Sequence, residues 1–182
     1  MDTANTALLI IDVQHALCRG DEAAFDVDRV VERINTVSSA ARAAGVPVVL
    51  IQHEEDEGPF RFGSDGWQLF AGLATSPEDI PLRKRATDSF HETGLQALLQ
   101  WRGITRLVVC GLQSDFCVDS TIRRALALGY EVALVADGHS TLDNAVLSAA
   151  QISAHHTATL SNITSFGRRV TPVAAADVRF GA

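Results

Sequence analysis

Apolar residues recur along this chain in two alternating rhythms. Residues 6–13 (TALLIIDV) form an almost continuous apolar run, the pattern of a strand covered on both faces. Residues 26–44 carry Val30, Val31, Ile34, Val37, Ala41 and Ala44 at helical spacing and stop at Gly45. Strand signals return at 46–52, 104–110 and 131–136, with a short last one at 169–173. Helical signals fall between them at 90–102, 117–128 and 143–155. This alternation predicts an α/β fold: a three-layer α/β/α Rossmann-like sandwich with a central, mainly parallel sheet of about six strands. Residues 1–182 read as a single domain. Residues 53–88 break the rhythm, being rich in charge, Gly, Pro and aromatics. They read as a long irregular insertion after a strand end, where open α/β sheets bind ligands.

Composition narrows the function. The apolar fraction is 47% and the charged fraction 20%, ordinary for a soluble globular protein. A net charge of −7 without any long Lys/Arg run disfavours a nucleic-acid partner, and no apolar run is long enough for a membrane span. The N-terminal residues lack the basic region of a signal peptide, and three cysteines make no disulfide framework. The expected location is therefore cytoplasmic, with reduced thiols.

Candidate chemistry gathers at predicted strand ends. Cys117 falls at a strand–turn–helix junction after Leu107, Val108, Val109 and Gly111, where free N–H groups and the helix dipole should favour thiolate. Asp12 ends the first strand, either as a functional carboxylate or as a cap. Lys84 lies between Arg83 and Arg85, and spacing alone does not favour it over them. No G-x-G-x-x-G follows the first strand, so a dinucleotide-binding reading is weak. The acidic run Glu54, Glu55, Asp56, Glu57 lacks the alternating ligand spacing of a calcium loop and reads as a solvated loop.

Three blocks carry a resemblance: ALLIIDVQ, RKRATDSFHETGL and VVCGLQSDFCVDSTIRRALALGYEVALVADGHST. Together they resemble the isochorismatase-like cysteine hydrolases, a superfamily that includes nicotinamidases, N-carbamoylsarcosine amidase and ureidoacrylate hydrolases. GSDGW at 63–67 resembles a loop of metal-free members, some of which open lactam rings. The resemblance implies a catalytic triad of Asp12, Lys84 and Cys117. It also implies a cis peptide at Leu112–Gln113 and an oxyanion hole made by the backbone N–H groups of Gln113 and Cys117.

The expected function is then cleavage of a C–N bond in a small amide, lactam or ureide through a thioester. The nicotinamidase metal motif is missing, so neither metal nor other cofactor is expected. Leu17, His53 and Trp67 are the candidate substrate-pocket residues, with Trp67 as a lid. Family members are commonly oligomers, which implies a homodimer or homotetramer here. Two alternatives stand beside this reading. One is a catalytically weak ligand-binding or interaction protein on the same scaffold. The other is an isochorismatase-type enol-ether hydrolase, which in the family does without this cysteine.

Overall fold

The structure, a computed structural model, describes residues 3–181. Its strands are β1 (Thr6–Ile11), β2 (Val48–His53), β3 (Ile80–Lys84), β4 (Arg106–Leu112), β5 (Glu131–Ser140) and β6 (Val170–Val173). They form one sheet in the order β3-β2-β1-β4-β5-β6, with every neighbouring pair parallel. The helices are α1 (His15–Cys18), α2 (Val27–Ala43), α3 (Leu95–Trp101), α4 (Asp119–Ala127) and α5 (Ala149–Ser161). Among the described residues, no helix is long and apolar enough to cross a membrane.

The unbroken apolar run of β1 follows from its position, because all six of its residues are buried. Side chains of a strand alternate between faces. Leu8 and Ile10 therefore pack with Val30, Ile34 and Val37 of α2 on one side. Ala7, Leu9 and Ile11 pack on the other with Leu95 and Leu99 of α3 and Ile122 and Leu126 of α4. Both faces need apolar cover, so no polar alternation survives in the sequence.

Three expectations shift. Residues 53–88 are not wholly irregular, because Ile80–Lys84 form the edge strand β3, paired with β2 from Val49↔Ile80 to His53↔Lys84. Pro81 and the strand's half-exposed positions hide it from an apolar-run reading. The helix expected at 143–155 begins only at Ala149. Asp143 Oδ1 accepts from Ala149 N at 2.7 Å, and Asn144 Oδ1 accepts from Val146 N and Leu147 N. These side chains take over the preceding backbone, and Ser148 with Gln151 then caps the helix reciprocally. The helix expected from residue 90 likewise starts at Leu95.

β2 and β4 flank β1 on opposite sides, so the chain changes winding direction there, and the crevice beyond the strands' C-terminal ends opens at that point. Asp12, His53, Lys84 and Gln113 all lie at or just past those ends. β1 and β4 approach closely at Gly111. Gly111 has φ 118°, and a Cβ there would stand 2.1 Å from the Ile11 carbonyl oxygen. Only glycine fits both the conformation and the gap. Gly111→Ala should therefore cost about 2–4 kcal/mol, read as a lower urea midpoint with an unchanged slope.

Candidate active site

Four strand ends bring the reactive side chains together. Asp12 follows β1 in the left-handed region, at φ 50°, a conformation Asp tolerates better than most residues. Lys84 ends β3. Strand alternation turns its side chain inward, while Arg83 and Arg85 turn out to Glu54 and Asp56. Lys84 Nζ lies 2.7 Å from Asp12 Oδ2, with the two side chains 0% and 1% exposed. The same ammonium donates to Ala86 O at 3.1 Å and to Cys117 Sγ at 3.2 Å. It also approaches His53 Nδ1 at 3.4 Å.

His53 Nε2 in turn lies 3.2 Å from Glu55 Oε1. Burial disfavours charge on Lys84, yet the Asp12 carboxylate and Cys117 outweigh it and hold the amine above the usual lysine range. Cys117 moves the other way from expectation. Burial first, and the Asp12 carboxylate second, push its thiol up to about 12, and Lys84 offsets only part of this. Burial and Asp12 thus favour a thiol at Cys117, not the thiolate that a helix N-terminus would favour.

Cys117 sits in a wide π-helical turn, Ser114–Val118, that precedes α4. The Gln113 carbonyl accepts from Phe116 N at 3.2 Å and Val118 N at 3.1 Å, which closes this turn. The Leu112–Gln113 peptide bond is cis. Ser114 Oγ, buried, contacts His139 Nδ1 at 2.7 Å and Ser153 Oγ at 2.9 Å, tying the turn to β5 and α5.

Asp12, Leu17, His53, Gln113 and Cys117 line one cavity of about 220 Å³. Trp67 does not. It faces a neighbouring cavity of about 710 Å³ beside β3, with Gln52, Glu54 and Arg83. It packs edge-on against Phe62 there, and Lys84 lines that cavity with it. The acidic run is not uniformly solvated either: Glu54 is buried and bridges Arg83 and Arg85. His156, in the middle of α5, contacts Asp119 at 3.0 Å. Cys18 and Cys110 are fully buried core residues.

Sequence reasoning missed two supports. The side chain of buried Gln14 accepts from His53 N at 2.8 Å and donates to His53 O and Trp67 O, fixing the end of β2 against β1. Its place in ALLIIDVQ was the available signal. Thr121 of α4 accepts from Ser89 N at 3.1 Å and so anchors the loop after Lys84. Among the described residues, no three His, Cys, Asp or Glu side chains converge to hold a metal.

The isochorismatase domain model matches residues 6–175. This chain belongs to the isochorismatase family. Among curated isochorismatase-family relatives, a streptothricin hydrolase of Streptomyces noursei is 41% identical over 138 residues, 75% of this chain and 50% of that protein. The chain thus spans about half the length of that relative. The ureidoacrylate amidohydrolase RutB of Methylobacterium radiotolerans is 32% identical, covering 100% of this chain and 81% of its own. A solved isochorismatase from Pseudomonas putida KT2440 superposes with a TM-score of 0.88 at 29% identity, covering 98% of this chain and 92% of that one. N-carbamoylsarcosine amidase from Thermoplasma acidophilum, at 24% identity and TM-score 0.80, shares the fold; the match covers 96% of this chain and 98% of that one.

Two measurements check the electrostatics of this isochorismatase-family site. Iodoacetamide should label Cys117 ahead of Cys18 and Cys110, at a rate climbing about tenfold per pH unit from pH 7 to 10 without a plateau. Burial, and then His156, lower the His139 pKa to about 4. The unfolded chain takes up that proton near 6.5 and the folded chain only near 4. Stability should therefore fall by up to about 3 kcal/mol as pH drops through that window. His139→Gln should flatten this dependence in thermal unfolding.

Proposed function

We propose that this protein is a cysteine-dependent hydrolase cleaving the C–N bond of a small amide, lactam or ureide, with Asp12, Lys84 and Cys117 as its catalytic residues. The observation that carries the reading is the buried contact of one lysine ammonium with both a carboxylate and a thiol, 2.7 Å and 3.2 Å away. The amide-cleaving activity in the name of the ureidoacrylate amidohydrolase relative supports the bond class.

The steps follow from the protonation states. Cys117 Sγ attacks the carbonyl carbon as its proton passes to the Asp12 carboxylate. The carbonyl oxygen becomes an oxyanion, which the backbone N–H groups of Gln113 and Cys117 receive, each worth about 3–4 kcal/mol. Asp12 returns the proton to the nitrogen, the C–N bond breaks, and ammonia or an amine leaves. Water then attacks the thioester while Asp12 takes its proton. Collapse releases the acid, and the sulfur regains its proton from Asp12. Lys84 keeps a positive charge beside the sulfur throughout, stabilising it as it loses its proton. Burial and the Asp12 carboxylate raise the Cys117 thiol, which gives the adjacent carboxylate its role as base.

Cys117→Ala and Asp12→Asn should each lower turnover at least a thousandfold in an ammonia-release screen of small amides, lactams and ureides. Their far-UV circular dichroism should be unchanged. Full activity in either variant refutes the assigned roles. Mass spectrometry of quenched wild-type enzyme should show acyl mass on the peptide bearing Cys117.

A further inference from the structure

The cavity around Cys117 has an uneven charge balance. Asp12 on its wall is matched by Lys84 at 2.7 Å, and among the described residues no lysine or arginine lines it. Glu55, on the same wall, has no such match. Its Oε1 accepts from His53, while Oε2 makes no hydrogen bond among the described residues. Arg83 and Arg85 are committed elsewhere, Arg83 to Glu54, and Arg85 to Glu54 and Asp56. Arg61 pairs with Glu55 through the backbone, but its side chain is not part of the cavity wall.

Glu55 is also held in place. Its N–H donates to Phe60 O at 3.1 Å across a short loop, and its carboxylate is tied to a histidine that stands edge-on to the Phe60 ring at 5.4 Å. Phe60 and Phe116 line the cavity with it, and the Glu55 side chain is 51% exposed, open to a ligand entering there. A carboxylate with flanking aromatic faces is a receptor for a positive charge. A carboxylate-bearing substrate would meet repulsion from Glu55 and find no uncommitted cation in this cavity.

We infer that Glu55, with Phe60 and Phe116, selects substrates that carry an ammonium or guanidinium group near the scissile carbonyl over neutral and carboxylate-bearing amides. For turnover this rests on the hydrolase reading above; for binding it does not. Glu55 acts on the substrate's side group and takes no part in breaking the bond.

The test uses three amides of matched length: 4-aminobutanamide, pentanamide and glutaramate. Wild-type enzyme should prefer 4-aminobutanamide over pentanamide about tenfold in kcat/KM, with glutaramate last. Because Glu55 also touches His53, the readout is the ratio between substrates and not the absolute rate. Glu55→Gln should bring the cationic-to-neutral ratio close to one, and Glu55→Lys should move glutaramate to first place. A wild-type ratio near one, or a ratio that Glu55→Gln leaves intact, overturns the inference.

Calorimetric titration of the Cys117→Ala variant with the same amides reads recognition without chemistry. Tighter binding of the cationic amide, lost in Cys117→Ala/Glu55→Gln, upholds the inference even if the wild type turns nothing over. That pattern would sink the hydrolase reading alone. Equal binding of the three amides, or none, overturns the inference whatever the turnover.

Discussion

The buried ion pair of Asp12 and Lys84 is the constraint on which this site depends. Two opposite charges 2.7 Å apart and out of solvent are tolerable only together, because either one left alone would be an uncompensated buried charge. The pair also spans the sheet. Asp12 stands past β1 and Lys84 at the end of β3, so their contact draws the edge strand's C-terminal end toward the sheet centre. β2 lies between them, and Gln14 holds its last residue, His53, by two backbone hydrogen bonds. The loop after Lys84 is then anchored to α4 by Thr121.

The second half of the site depends on a close approach of two backbones. Gly111 lets β4 run against β1 where a side chain would collide with Ile11. The following residues leave the sheet in a wide turn that sets Cys117 over Asp12 and Lys84. This turn is supported from below by buried polar contacts of Ser114 with His139 and Ser153. Each buried hydroxyl there has a partner, which makes the support rigid. Burial is what keeps the sulfur protonated, and it places the proton next to the carboxylate suited to take it.

Outside this centre the cavity differs from what its acidic loop suggested. Three of the four consecutive acidic residues take separate jobs: buried Glu54 bridges two exposed arginines, Asp56 pairs with one of them, and Glu55 turns to His53 at the cavity wall. Neighbours in a strand or its extension face opposite ways, so adjacent charges reach different environments.

Much of the architecture was legible in the chain itself. The continuous apolar run of β1 and the helical spacing of α2 announced a parallel sheet with covered faces, because burial on both sides leaves a direct imprint on residue type. Cys117 stood out because a glycine break separates a strand from a helix just before it, and the resemblance linked it to Asp12 and Lys84. The short edge strand β3 left too weak an imprint, with Pro81 in it and one face in solvent. Nor could local pattern tell Lys84 from its arginine neighbours, assign Glu54 and Glu55 to different partners, or place Trp67 beside another cavity. Those outcomes follow from which strand ends meet across the sheet. The thiol's protonation was likewise decided by tertiary burial, since desolvation and a carboxylate contributed from the far end of another strand outweigh the local helix geometry that the sequence by itself displays.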